Sequence, residues 1–478
     1  MHHSTYARAA LVAGVFVLLL AASALLQWSR TPLLHPEGAA YASAYLREEP
    51  RWVGGLVRKV FDAHANDLSH YFRAREASYA LDMVDAFLLL ASHRAGWVHT
   101  HSLLHWILAS LLALCFFWLG LRSGTRWGPW LGLALAVWFL TLPPVVFQFW
   151  FRTAKIATGV VGAGCLLAWW LARSQREPAS PRWGWAWLAP ALLLLFLDEM
   201  GFWFAGVLGA LFLLTWRLEG RSRFLRNATL AWAAAGAVKL FYMAWAGPAL
   251  IFLTQHYHPA RVKRAHLELF WREPLGMLDK GFESFFAVLR EGTGGSTSLA
   301  ILFLLFLGAG GLALARRLSR ERGAGFAGYA TGYFAVLLSC PIMMALIAAD
   351  GAGTANDMVF WSGVMNLVYY SVPAWGIVAA LAFISVIELG TRLPRGRWVL
   401  AGFLCVLAIF NLGRIPASQK TLRGHPMLRE AYEMTPLIYD AITRGVPVDE
   451  TKVPPSTDYF PYELFKPHYQ AFIRRMAP

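Results

Sequence analysis

Carboxylates set beside cations in a chain this apolar are the residues to begin with. The densest group is Phe61-Asp62-Ala63-His64-Ala65-Asn66-Asp67-Leu68-Ser69-His70-Tyr71-Phe72-Arg73-Ala74-Arg75-Glu76, with Asp82 and Asp85 following. Seven ionisable groups within residues 62–76 exceed what a helix cap needs, although Asn66 or Asp67 would cap a helix well. Asp62, His64 and Asp67 are close enough in sequence to share a site, as a general base or as metal ligands. The second group is Asp198-Glu199 in Phe196-Leu197-Asp198-Glu199-Met200-Gly201. An adjacent acid pair between apolar runs is costly in hydrocarbon and calls for a cavity, a cation or a partner; the plainer reading is a turn at Gly201. The third is a set of cations: Arg152 and Lys155, then Lys239, then Arg261, Lys263 and Arg264. Cations at a membrane lip suit a lipid-linked phosphate or snorkel to headgroups, and Lys239 is also placed to neutralise Asp198 or Glu199.

Other polar groups are weaker. His101 and His105 share a helix face near His99, but no HExxH motif and no Cys partner accompany them, which argues against zinc. Asp350 and Asp357 bracket a Gly-rich stretch of flexible-turn character. No P-loop, GxSxG or Rossmann fingerprint occurs in context. Cys115, Cys165, Cys340 and Cys405 each lie inside an apolar run, so no structural disulfide is expected.

The elements that must hold these groups are membrane spans. The 478 residues are 57% hydrophobic and only 15% charged, where a soluble domain carries about 25% charged residues. A span needs roughly 20 apolar residues. Such runs fall near 9–28, 102–121, 129–149, 154–172, 184–199, 201–216, 228–249, 298–315, 325–348, 366–390 and 397–413, which predicts eleven helices. The first run is too long for the apolar region of a signal peptide and its flank is a poor cleavage site, so it reads as an uncleaved helix.

Arginine checks the alternation. Arg122 and Arg126; Arg173, Arg176 and Arg182; Arg217, Arg221, Arg223 and Arg226; Arg316, Arg317, Arg320 and Arg322; and Arg392, Arg395 and Arg397 occupy alternate loops. The positive-inside rule makes that side cytoplasmic, with the N-terminus inside and the C-terminus outside. Most of the net charge of +15 lies in these short loops, which points to anionic headgroups and not to nucleic acid. The acids and the unexplained cations then share the outer side. The expected organisation is a transmembrane domain over 1–413, with large outer loops at 29–101 and 250–297, and a small outer tail at 414–478. Residues 68–92 and 261–290 read as amphipathic helices on the membrane surface. The tail, with one expected helix over 427–442, is too short for a deep core of its own.

This layout resembles the GT-C glycosyltransferases, in the branch of oligosaccharyltransferases, protein mannosyltransferases and the lipid A aminoarabinose transferase. The resemblance spans residues 1 to about 300. It rests on a first span, an acid-bearing outer loop (Asp62, Asp67), a second acidic site (Asp198-Glu199) and a second long outer loop after the seventh span. The WWDYG-type signature of oligosaccharyltransferases and the tandem Asp-Glu of mannosyltransferases are absent. The resemblance implies an all-α, GT-C-like bundle in a bacterial inner membrane that moves a sugar from a polyprenyl-phosphate donor to a glycan, lipid or protein acceptor. It implies catalytic roles for Asp67, Asp62, Asp198 and Glu199. Donor phosphate would meet Arg152, Lys155, Lys239 and Arg261, and substrate would meet His64, Arg73, Arg75 and Glu76. If a divalent cation such as Mg or Mn takes part, Asp62, Asp67 and Glu199 are the ligands on offer. The competing readings are a flippase for a lipid-linked glycan, which would need more charge in mid-span, and a non-catalytic lipid-binding scaffold.

Overall fold

The computed structural model describes residues 2–28, 42, 71–72, 74–97, 102–123, 125–147, 153–175, 180–220, 222–255, 261–262, 271–348, 371–393, 396–424, 426–455 and 462–476. In chain order its helices are α1 (His2–Trp28), α2 (Glu76–Arg94), α3 (Leu103–Arg122), α4 (Gly128–Leu140), α5 (Ala154–Ser174), α6 (Leu188–Leu197), α7 (Glu199–Glu219), α8 (Arg223–Phe241), α9 (Gly247–Gln255), α10 (Pro274–Glu291), α11 (Thr297–Arg322), α12 (Phe326–Ala348), α13 (Ser371–Arg392), α14 (Arg397–Gly424), α15 (Pro426–Arg444) and α16 (Tyr462–Met476). A parallel two-residue bridge joins β1 (Tyr71–Phe72) to β2 (Arg261–Val262) and ties the two large loops together.

The protein is an all-α membrane protein, and nine helices among the described residues are long and apolar enough to span. The two other expected spans coincide with shorter helices, α4 and α6, the latter preceded by a 3₁₀ segment at Pro181–Trp187. The span expected to end at 413 continues as α14 to Gly424. At the centre stands α13, whose side chains are almost all buried. It fits tightly against α5 because both helices are small at the crossing: a Cβ on Gly376 would lie 2.4 Å from the Gly159 carbonyl oxygen.

One sequence expectation is corrected. The helix expected from Leu68 begins at Glu76 with Arg75 at its N-cap, because Tyr71 and Phe72 are drawn into the bridge. One side of the helix is covered by the tail. Tyr79, Met83, Ala86 and Leu89 pack with Met434, Ile438, Ile442, Tyr462, Phe465, Phe472 and Ile473 into a second core. The tail therefore shares a core with α2. Amphipathic periodicity fixes which face is apolar and says nothing of what covers it.

Candidate functional site

The chain's up-and-down course brings the start of α5, the junction of α6 with α7, and the end of α8 to one end of the bundle, where the first turn of α2 meets them. Lys155, in the first turn of α5, is ion-paired with Asp198. Both are buried. Asp198 also caps α7, where its extended backbone lets Oδ1 accept the Glu199 amide at 2.7 Å. Glu199 is exposed beside it. Lys239 donates to the Ala74 carbonyl and lies over the Phe196 ring, 4.4 Å from its centroid. The Glu76, Glu199 and Asp198 carboxylates lie near enough for their charges to act on Lys239. The sequence had offered Lys239 as the partner of the acid pair; the direct partner of Asp198 is Lys155, and Lys239 instead fastens the strand leading into α2.

One turn beyond Lys239 the helix widens. Tyr242–Ala246 forms a π-helical turn, a feature frequent at functional sites. Tyr242 donates to Glu76 Oε1 and stacks edge-on against Phe196 with centroids 5.1 Å apart. Arg75 bonds the Tyr79 hydroxyl at 3.0 Å. Three cations (Lys155, Lys239, Arg75) and three carboxylates (Asp198, Glu199, Glu76) from four separate stretches thus occupy one region.

Helix α2 is held there by its own acids. Asp82 accepts from the Thr153 amide at 3.1 Å and the Thr153 hydroxyl at 2.9 Å, just before α5. Asp85 accepts from the Leu104 amide at 3.1 Å, in the first turn of α3. Both carboxylates sit at helix N-termini, where the exposed amides and the dipole favour an anion. Burial pushes the Asp85 carboxyl up to about 6, against hydrogen bonds from Ser102 and Leu104 that pull it down.

Of the residues singled out from sequence, Lys155, Asp198, Glu199, Lys239, Arg75 and Glu76 are brought together. Asp62, His64, Asp67, Arg73 and Arg152 lie outside the described residues, and Arg261 is described only as backbone in β2. Of the metal ligands on offer, Glu199 alone is described, and the described residues hold no group of three His, Cys, Asp or Glu suited to an ion. His105 spends its Nε2 on the Val145 carbonyl at 2.9 Å. Tyr242 and Thr153 were missed: a Tyr in an apolar run and a Thr before a helix carry no spacing signal of their own. No family model, curated protein or solved structure matches this chain.

Proposed function

We propose that this protein is a membrane glycosyltransferase that moves a sugar from a polyprenyl-phosphate donor to a cell-envelope acceptor. The observation that carries the reading is the meeting of Lys155, Asp198, Glu199, Lys239 and Glu76 at the end of the bundle opposite its arginine loops. By the positive-inside rule those loops face the cytoplasm, which puts the cluster on the outer side. Next to buried Lys239 the surface is apolar: Leu240, Phe241 and Trp245 are exposed where lipid would lie. A polyprenyl phosphate needs that pairing, an apolar flank for its tail and cations for its head.

In this reading a carboxylate, Glu199 or a first-loop acid, takes the proton of an acceptor hydroxyl. The acceptor oxygen bonds to the anomeric carbon as the bond from that carbon to the phosphate oxygen breaks. The leaving polyprenyl phosphate keeps the electron pair, and Lys155 and Lys239 stabilise its charge. A divalent cation, if one binds, would add Lewis-acid stabilisation there, with Glu199 the one described residue of the expected ligand set.

The test uses the purified protein in vesicles with radiolabelled polyprenyl-phosphate hexoses and an envelope extract. Label should pass to the extract. Asp198→Asn and Lys155→Met should each cut turnover by about 10²–10³-fold while leaving the protein folded. Full transfer by both folded variants, or no transfer by the native protein from any donor, would sink the proposal.

A further inference from the structure

Helix α10 divides its surface three ways. Met277, Gly281, Ser284 and Val288, at i, i+4, i+7 and i+11, are buried. They pack on α12, where a Cβ on Gly281 would lie 2.6 Å from both the Pro341 carbonyl oxygen and the Ala345 side chain. Phe285 and Leu289, buried as well, widen the packed side in one direction, and a second row, Leu275, Phe282 and Phe286 at i, i+7 and i+11, lies just beyond them. Leu275 is 80% exposed and Phe282 44%, while Phe286 is half-buried against the core. A third row, Asp279, Glu283 and Arg290, lies further round and is exposed, with Lys280 paired to Glu283 at 2.8 Å. Trp271, just ahead of the helix, is 76% exposed beside Arg272.

One occupant fits that division. We infer that α10 lies in the boundary between acyl chains and headgroups, on the leaflet of the acid–base cluster, with Leu275 and Phe282 in lipid and Asp279 and Glu283 in water. Depth supports it. Gly281 meets Pro341 and Ala345, seven and three residues inside the end of α12 at Ala348, or about 4–11 Å at 1.5 Å per residue. An interfacial helix sinks its apolar face by about 5–10 Å. Continuity supports it as well: α11, which follows α10 after a short turn, exposes Ile301, Leu302 and Leu305 to the surroundings of the bundle. A lone Trp with an Arg at the edge of such a helix is the pairing that membrane–water boundaries favour.

The experiment places a nitroxide label at Leu275→Cys, Phe282→Cys, Asp279→Cys and Glu283→Cys in turn, with the exposed Cys405 replaced by Ala. The whole chain is reconstituted in phosphatidylethanolamine–phosphatidylglycerol vesicles. All four positions lie on the exposed side, so the core is untouched. Labels at 275 and 282 should collide several-fold more often with oxygen than with a water-soluble nickel chelate, and labels at 279 and 283 the reverse. Equal access of the chelate to all four would overturn the inference. So would exclusion of both probes from 275 and 282, which would mean that a second copy of the chain covers the face. The readout is independent of any glycosyl transfer.

Discussion

The arginine end of the bundle and the lysine cluster at the other end use buried charge in opposite ways. At the arginine end Glu388 receives Arg317 Nε at 2.9 and 3.1 Å, Arg317 Nη2 at 2.7 Å and Trp170 Nε1 at 3.0 Å. Glu219 receives Arg173 at 2.6 Å and the Tyr329 hydroxyl at 3.1 Å. Arg322 and Arg397 spend donors on carbonyls at or near helix ends, and Arg392 donates to the Ala313 carbonyl of α11. Each of the two carboxylates is bonded through both oxygens, and at Glu388 the planar arginine fork fixes the geometry. At the other end the cations of the central pairs are lysines, which act as point charges on flexible stems. They hold one carboxylate and one carbonyl beside an exposed acid and a widened helical turn. Arginine gathered at one end of the bundle is therefore also used as mortar, while the lysine end keeps groups that chemistry can reach.

The strongest way to break the comparison is Arg317→Ala. It leaves Glu388 buried without its main partner, and removing one member of a buried pair costs about 3–5 kcal/mol. Unfolding in a denaturing detergent series measures it. A loss below about 1 kcal/mol would mean that the arginine end is not the fixed one. Arg317→Lys keeps the charge but not the fork, and is expected to recover only part of the loss.

Asp85 sharpens the contrast through pH. An unfolded carboxyl titrates near 3.9, and in the folded chain burial holds Asp85 at about 6. Between those values the folded state keeps a proton that the unfolded chain has released, so stability falls as pH rises from about 4 to about 6 and is level above. The expected loss is on the order of 2–3 kcal/mol. Asp85→Asn, which still accepts from the Leu104 amide, should flatten that slope. An unchanged slope in the variant would show that Asp85 does not titrate as its burial requires.

How much of this was legible in the sequence depended on whether a signal was local. Alternating arginine loops gave the two ends, because span length and loop charge are properties of short stretches. The Asp198-Glu199 pair was visible because adjacent acids in an apolar run stand out. The pairing of Lys155 with Asp198 was not, since the residues are 43 apart and several cations were equally eligible. Nor was the seating of α2 under α15 and α16, whose contact with it joins residues more than 300 apart, as His93 with the Met476 carbonyl shows. Packing between distant stretches leaves no period in either one.

Tyr242→Phe is the mildest test and the most telling about the lysine end. The substitution keeps the ring against Phe196 and removes only the bond to Glu76. A hydrogen bond to a charged group that is only half-buried is worth about 1–1.5 kcal/mol, so the stability loss should be the smallest of the three. Its effect on transfer should be larger than that energy implies. Glu76 sits in the first turn of α2, two residues from the Ala74 carbonyl that Lys239 holds, and loosening it disturbs the cation proposed for the donor phosphate. Turnover falling about tenfold or more, with melting nearly unchanged, would separate a working end from a structural one. Turnover and stability declining in step, as the arginine end should show, would mean that Tyr242 is mortar too.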